Sequence, residues 1–273
     1  MTAIEWTDAT WNPTVGCSRV SPGCDGCYAI GVAARQMQPA HQGLTVRTPS
    51  GMDWTGEVRM LLDRLDTPMR WRKPRRVFVD SMSDLFHRDV PADFIRRVWV
   101  TMALTPQHTY QVLTKRPDRM MNLLASHLWD DEVGMAAGAD EARIEWCHSE
   151  YPTMGETGWL PNVWLGTSIE SDRFMSRARR LQNTPAAVRF MSLEPLLGPL
   201  PSLDLHGIGW VIVGGESGRG ARPMDLGWAR DIRDQCAVAG VPLFVKQLGS
   251  RHGKDHKSIE SFPADLQIRE WPT

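Results

Sequence analysis

The chain has 273 residues, of which 42% are hydrophobic and 23% charged, and its formal net charge at pH 7 is −1. This length suits one large α/β domain or two small ones, and the near-neutral charge excludes a global attraction to nucleic acid or anionic membrane. The N-terminus lacks a signal-peptide pattern, and no apolar run approaches the roughly 18 residues that span a bilayer. We therefore expect a soluble cytoplasmic protein with no membrane partner.

The first predicted strand, Trp11–Gly16, leads into three cysteines, Cys17, Cys24 and Cys27, spaced C-x6-C-x2-C among glycines and a proline. Gly and Pro permit the sharp turns that let several thiolates converge on one metal centre. Three soft thiolates suit an iron–sulfur cluster that keeps one iron open. Zinc with a remote fourth ligand, such as Cys147 or a histidine, and plain structural thiols are the alternatives. The bunching also favours a reducing compartment over a disulfide framework.

After the cysteines, short apolar runs alternate with helical stretches. Residues 40–75 are predicted to be irregular, with a possible strand near residues 57–59. The later strands are predicted at Val77–Asp80, Tyr110–Leu113, Val163–Gly166, Arg189–Ser192, Trp210–Val213 and Pro242–Val245. The helices are predicted at Tyr28–Gln36, at Pro91–Leu104, from Pro117 to about Leu128, through Leu181 and at Leu226–Ala239.

Continuous apolar runs that alternate with helices are typical of parallel strands covered on both faces. About seven such units, each strand ending in polar residues or glycine, favour an α/β fold. We predict a partial or full (β/α) TIM-like barrel, whose site lies at the carboxyl ends of the strands. A doubly wound open sheet is the alternative. The barrel domain is predicted over residues 1–250, with an insertion at 129–160 between strands three and four, followed by a C-terminal tail at 251–273.

Six further phrases of the sequence carry a family resemblance. They are Glu5-Trp-Thr-Asp-Ala-Thr-Trp-Asn-Pro, Ser81-Met-Ser-Asp-Leu-Phe, Leu113-Thr-Lys-Arg-Pro, Ser192-Leu-Glu-Pro-Leu-Leu-Gly, Val213-Gly-Gly-Glu-Ser-Gly and Val245-Lys-Gln-Leu-Gly. With the three-cysteine segment, they resemble a phage- and prophage-encoded family of uncharacterised radical-SAM-like proteins. That family is distantly similar to the photoproduct-lyase type of radical SAM enzyme. The resemblance spans roughly residues 4–250 and implies a barrel of the radical SAM type.

In that superfamily, three cysteines hold a [4Fe–4S] cluster and S-adenosylmethionine binds its fourth iron. One electron, from a flavodoxin- or ferredoxin-like partner or a chemical reductant, then yields a 5′-deoxyadenosyl radical. The resemblance implies that Cys17, Cys24 and Cys27 are the cluster ligands. It also implies a nucleic acid or nucleotide as the substrate, in the host cytoplasm if the protein is phage-encoded. The alternative is a zinc-stabilised, non-enzymatic protein that binds nucleic acid or a partner.

The resemblance also names contacts for S-adenosylmethionine. The superfamily usually has a shorter first gap than six residues and an aromatic residue where Gly26 stands, so Tyr28 is the candidate adenine contact. The other cofactor-binding candidates are Ser81, Ser83 and Asp84 for the methionyl ammonium, and Ser168 and Glu170 for ribose hydroxyls or the methionyl carboxylate. Glu194, at the carboxyl end of a strand, is a candidate ligand of the cofactor or substrate, or else pairs with a nearby arginine. Gly214, Gly215 and Glu216 would permit close approach of a ligand such as the adenosyl group.

Each of these candidates has a structural alternative. Ser81 to Asp84 would also cap the next helix, and paired glycines also end strands. The candidate catalytic cations are Lys115, Arg116 and Lys246, which would bind substrate phosphate or carboxylate. Alternatively, these cations form ion pairs with the strand-end carboxylates.

Overall fold

The computed structural model describes residues 4–126 and 160–272. The chain divides into two compact units. The first unit comprises Met1–Ser18, Ala29–Leu165 and Asn183–Ala187, and the second comprises Arg19–Tyr28, Gly166–Gln182 and Val188–Thr273. The described strands are β1 (Ala9–Trp11), β2 (Thr14–Val15), β3 (Thr45–Thr48), β4 (Gly51–Trp54), β5 (Arg59–Met60), β6 (Arg76–Val79), β7 (Thr109–Thr114), β8 (Val163–Ser168), β9 (Val188–Leu193), β10 (Trp210–Gly214) and β11 (Leu243–Gln247). The described α-helices are α1 (Tyr28–Ala33), α2 (Ala92–Ala103), α3 (Pro117–Ser126), α4 (Ser176–Gln182) and α5 (Leu226–Ala239).

The main strands are hydrogen-bonded in the order β1-β6-β7-β8-β9-β10-β11. In the first unit the pairs β1–β6 and β6–β7 are parallel, and in the second unit β9–β10 and β10–β11 are parallel. This parallel α/β arrangement of seven strands is consistent with a partial (β/α) barrel. A doubly wound sheet would reverse its strand order at a switch point, which this order does not do.

The first unit is built on β1, β6 and β7. Trp11 and Tyr110 are both buried, and their ring centroids lie 5.8 Å apart. The helix α2 confirms the predicted helix to within one residue at each end. It begins after Pro91, whose carbonyl accepts the N–H of Phe94 (3.1 Å). Its buried residues at helical spacing include Ile95, Val98, Trp99 and Met102. This spacing presents one apolar face to the core.

Residues 40–75 are more regular than predicted. The strands β3 and β4 form an antiparallel hairpin in which Thr45 faces Trp54. The strand expected near residues 57–59 is β5, which pairs antiparallel with β2. The β3 strand exposes Val46 and Arg47, so it lacks the alternation of apolar and polar residues that marks a half-buried strand.

The second unit is built on β9, β10 and β11, and Trp210 of β10 pairs with Phe190 of β9. The helix α5 has the predicted bounds. At its start the Asp225 carboxylate caps the helix by accepting the Gly227 N–H (2.7 Å). Gly240, with φ +67°, ends it in the left-handed conformation that favours glycine.

The C-terminal residues pack on β11. The rings of Phe244 and Trp271 lie 4.9 Å apart, and the Val245 N–H donates to the Ile268 carbonyl (2.8 Å). The division into a barrel domain and a separate tail stays a prediction. The predicted insertion at 129–160 lies outside the described residues except for Leu160. Within the described ranges, none of the helices has the length and apolar content needed to cross a membrane.

A pair of glycine substitutions tests the packing of β8. A Cβ on Gly166 would lie 2.5 Å from the Phe190 ring, whereas a Cβ on Gly31 of α1 would meet nothing within 4 Å. We expect Gly166→Ala to lower the free energy of unfolding by about 1–3 kcal/mol through overpacking, and Gly31→Ala to leave it unchanged or raise it by about 0.5–1 kcal/mol. Denaturant unfolding measures both. Equal effects of the two substitutions would contradict this packing.

Candidate functional site

The cysteine loop, residues 17–27, connects β2 to α1. Cys17, Cys24 and Cys27 are all half-buried, and neither they nor the buried Cys236 form a disulfide. In the second unit, the Cys24 N–H donates to the Ser21 carbonyl (2.9 Å) and the Cys27 N–H to the Cys24 carbonyl (3.3 Å). Cys24 and Cys27 therefore lie on successive tight turns. Across the described residues, the structure gathers no group of three or more His, Cys, Asp or Glu side chains that could hold a metal ion.

In the first unit, the residue before Cys17 is bound by the segment after β6. The Gly16 N–H donates to the Met82 carbonyl (3.1 Å), and the Ser83 hydroxyl donates to the Gly16 carbonyl (2.8 Å). Gly16 has φ +90°, and a Cβ there would lie 2.2 Å from the Glu57 carbonyl oxygen, so the position requires glycine. Ser83, a predicted cofactor contact, thus positions the start of the cysteine loop.

Ser18, next to Cys17, is held by two cationic or polar side chains of the first unit. Arg116 Nη2 donates to the Ser18 carbonyl (3.1 Å) and to its hydroxyl (2.8 Å). His87 Nε2 lies 2.8 Å from the same hydroxyl, while His87 Nδ1 accepts the Asp89 N–H (3.3 Å). Burial and the charge of Arg116 lower the pKa of His87.

Asp84 connects this network to the end of β7. Its buried carboxylate accepts the Thr114 hydroxyl (2.7 Å) and the Lys115 N–H (3.1 Å), and Arg116 Nε lies 3.8 Å from it. The side chain also accepts the Phe86 N–H (3.0 Å) in a local turn. Capping of the next helix, the structural alternative foreseen for Ser81 to Asp84, is wrong, because α2 begins after Pro91 without a side-chain cap. Ser81 itself donates to the Asn12 side chain (3.1 Å).

Asp80, which the sequence analysis passed over, is a buried carboxyl at the end of β6. It has φ +59° and accepts the Thr14 N–H (3.1 Å) and the Thr14 hydroxyl (2.9 Å). Burial raises the pKa of Asp80 to about 8, against the two bonds from Thr14 and together with the charge of Asp84. A protonated carboxyl therefore joins β6 to β2 at neutral pH.

In the second unit, Glu170 after β8 contacts the cysteine loop. Its carboxylate is fully buried, accepts the Gly23 N–H (3.3 Å) and is paired with Arg177 of α4 (2.9 Å). The guanidinium of Arg177 also donates to the Ser168 carbonyl (2.9 Å) and lies 4.5 Å from the centroid of the Phe174 ring. Both carboxylate oxygens of Glu170 are therefore bonded to groups of the protein.

Glu216 after β10 makes the second contact with the loop. Its carboxylate accepts the backbone N–H (2.8 Å), Nε (2.9 Å) and Nη2 of Arg222. Burial raises the pKa of Glu216, but the bonds and charge of Arg222 outweigh burial and lower it. Arg222 Nη2 also donates to the Pro22 carbonyl (2.9 Å), and Arg222 Nη1 lies 3.6 Å from the Asp25 carboxylate. Arg222 therefore ties the end of β10 to two residues of the loop.

Glu194 and Lys246 form an ion pair at the ends of β9 and β11. Lys246 Nζ lies 2.8 Å from both carboxylate oxygens, and the Gln247 amide donates to Glu194 (2.7 Å). A Cβ on Gly214 would lie 2.9 Å from the Glu194 carboxylate, so glycine makes room for this side chain. The side chains of Glu194 and Lys246 keep 17% and 16% of their surface exposed. This pair is the alternative foreseen for Lys246.

The remaining predicted residues differ in their surroundings. A Cβ on Gly215 would lie 2.3 Å from the Leu248 carbonyl oxygen, so close approach of the chain itself requires glycine there. Tyr28 begins α1 and is 51% exposed, Ser168 is buried at the end of β8, and Lys115 is half-buried after β7.

Sequence reasoning missed Arg177, Arg222, His87 and Asp80. Arg177 and Arg222 follow their carboxylates by seven and six residues and lie outside the strand-end clusters. An arginine six or seven residues after Glu216 and Glu170 was an available signal. The left-handed backbone of Asp80 carries no signal in the residue itself, apart from the tolerance of Asp for that conformation.

The family model described as "Protein of unknown function (DUF5131)" matches residues 1–271. The chain belongs to this family. No curated protein matches the chain. A solved structure of spore photoproduct lyase complexed with dinucleoside spore photoproduct is similar over 81% of this chain and 58% of that one, with 12% identity and a TM-score of 0.39. This chain therefore spans less than two thirds of that protein.

The titration of Asp80 predicts a pH dependence of stability. Because burial raises its pKa from 3.8 to about 8, the folded protein keeps a proton that the unfolded chain releases. The contribution of this proton to the free energy of unfolding is fully present below about pH 4. It falls as the pH rises toward 8, by at most about 1.4 kcal/mol per pH unit. Asp80→Asn removes the titration and keeps a residue that tolerates positive φ.

Urea unfolding at about pH 5 and about pH 7.5 measures the effect. We expect the wild-type free energy of unfolding to decline between these values more steeply than that of the Asp80→Asn variant. Parallel declines in the two proteins would contradict a protonated Asp80.

The Arg177–Glu170 pair predicts a large and specific loss of stability. Arg177→Met leaves the buried Glu170 carboxylate without its cation, and we expect a loss of about 3–5 kcal/mol. The matched control, Arg179→Met on the exposed face of α4, should change stability by less than about 0.5 kcal/mol. Adding Glu170→Gln to Arg177→Met should restore part of the loss. Similar stabilities of the two single arginine variants would refute the buried pair.

Proposed function

We propose that this protein is a radical S-adenosylmethionine enzyme whose [4Fe–4S] cluster is ligated by Cys17, Cys24 and Cys27. The observation that carries the proposal is the cysteine loop itself. Three half-buried thiols, none in a disulfide, lie within eleven residues between β2 and α1. They follow the first strands of a chain whose main strands keep their sequence order.

The donor chemistry fits this cluster. Thiolates are the ligands that iron–sulfur clusters take in proteins, and three of them leave one iron for another ligand. In the structure the thiols do not form a metal-ligand group, so the fit is one of donor type and sequence position. Metal binding is coupled to local folding, and we propose that the loop gathers its thiols as the cluster is incorporated. When bound, such a cluster supplies the electron for reductive cleavage of S-adenosylmethionine.

The strand ends support the placement of the cofactor. In each unit, polar side chains follow the carboxyl ends of the main strands, where (β/α) barrels carry their sites. We propose that the side chains with exposed surface contact ligands directly. They are Tyr28 for the adenine, Glu194 for a ribose hydroxyl, and Lys115 and Lys246 for anionic groups of the substrate.

The other predicted contact residues position parts of the protein itself in this proposal. Ser83, Asp84 and Arg116 are bonded to the start of the cysteine loop or to its supports, and Ser81 to Asn12. Gly214 and Gly215 make room for Glu194 and for Leu248. We propose that the substrate is a nucleic acid or nucleotide and that a flavodoxin- or ferredoxin-like protein is the reductant. The sequence resemblance supports both of these assignments.

Reconstitution with iron and sulfide under anaerobic conditions tests the proposal. We expect about four irons per wild-type chain, and 5′-deoxyadenosine formation once S-adenosylmethionine and dithionite are added. Cys24→Ala should reduce the bound iron severalfold and abolish the product. Cys236→Ala is the matched control, because it removes a buried thiol of α5 outside the loop, and it should keep both.

Two outcomes would overturn the proposal. One is a wild-type protein that binds a single zinc and no iron, which would favour the zinc-stabilised binding protein. The other is a Cys24→Ala variant with the same iron content as the Cys236→Ala control.

A further inference from the structure

We infer that Glu216–Arg222 and Glu170–Arg177 are two clamps that fix the turn carrying Cys24 and Cys27, so that all four residues are positioning residues for the thiols. The carboxylates serve the protein chain rather than S-adenosylmethionine. The purpose of the clamps rests on the proposed function. Their action on the turn is a property of the chain alone.

The first clamp acts on Gly23, the residue before Cys24. Glu170 Oε1 accepts the Gly23 N–H at 3.3 Å, and Glu170 Oε2 is bonded to Arg177 Nη1 at 2.9 Å. Both side chains of this pair are at least nine-tenths buried. The cation and the N–H donor compensate the carboxylate for its loss of water. Arg177 thus keeps Glu170 as the acceptor for the turn.

The second clamp acts on both sides of Cys24. Arg222 forms a multiply bonded pair with Glu216 and donates to the Pro22 carbonyl at 2.9 Å. Its Nη1 lies 3.6 Å from the carboxylate of Asp25. A guanidinium has several donors in a rigid plane, which lets a single side chain hold several acceptors at once. Lysine has the charge without this geometry.

Two glycines of the loop, Gly23 and Gly26, lie directly against the carboxylates of the clamps. A Cβ on Gly26 would lie 2.4 Å from Glu216 Oε1, and a Cβ on Gly23 would lie 3.1 Å from the Glu170 carboxyl carbon. Neither glycine has the positive φ that would by itself demand the residue. The absence of a side chain at Gly26 is therefore required by the carboxylate of Glu216. This accounts for a glycine where the superfamily usually has an aromatic residue.

Alkylation of the metal-free protein measures the clamp directly. Iodoacetamide modification of Cys24 and Cys27, followed by peptide mass spectrometry, reports how often the turn opens. We expect Arg222→Gln to raise both rates about tenfold, equivalent to about 1.4 kcal/mol, and Arg222→Lys to have an intermediate effect. Arg230→Gln is the matched control, since it removes an exposed arginine that pairs with Asp265, and its rates should equal those of the wild type.

A double-mutant cycle tests the steric part of the inference. Gly26→Ala should raise the alkylation rates in the wild-type background. In a Glu216→Ala background, where the carboxylate is gone, adding Gly26→Ala should have little further effect. Additive effects of the two substitutions would show that Gly26 is required for another reason and would overturn this step.

Iron retention after reconstitution links the clamps to the cluster. We expect Arg222→Gln to retain severalfold less iron than Arg230→Gln, with part of the loss rescued in Arg222→Lys. Unchanged alkylation in Arg222→Gln would overturn the clamp. Faster alkylation with unchanged iron retention would overturn its role toward the cluster. A wild-type protein that takes up no iron, with the alkylation difference intact, would contradict the proposed function and leave the clamp standing.

Discussion

The buried ion pair of Glu170 with Arg177 is the interaction on which the second unit depends. Glu170 is fully buried, and its charge is tolerable because Arg177 and the Gly23 N–H share it. Removing either partner leaves a charge or a donor without compensation, which is far more costly than the pair is stabilising. The same interaction joins β8 to the cysteine loop. Stability of the unit and the conformation of the turn are therefore coupled through one side chain.

In the first unit, a different set of side chains binds the start of the cysteine loop. There the segment after β6 binds the start of the loop through the side chains of Ser83 and His87, while Arg116 donates to Ser18. Asp80 joins β6 to β2 through its bonds to Thr14, and the neighbouring Asp84 carboxylate pairs with Arg116 (3.8 Å). In each unit, residues after the strands are bonded to the part of the cysteine loop that belongs to that unit.

Sequence patterns were sufficient where local chemistry decides the structure. The helix α5 has a capping Asp225 and a terminal Gly240, and the predicted bounds coincide with the observed ones. The hairpin of β3 and β4 was missed because Val46 is exposed in a polar strand. Glu170, Glu194 and Glu216 were recognised as strand-end carboxylates. Their partners depend on which distant residues the fold brings near, and no spacing rule in a single sequence states that Gly26 must make room for Glu216.

The most direct test of the account is the electron paramagnetic resonance spectrum of the reduced, iron-reconstituted protein, recorded with and without S-adenosylmethionine. The account predicts the signal of a reduced [4Fe–4S] cluster whose g-values change when S-adenosylmethionine is added, because one iron lacks a cysteine ligand. A cluster signal that S-adenosylmethionine leaves unchanged, or a protein with no iron signal that holds zinc, would contradict it.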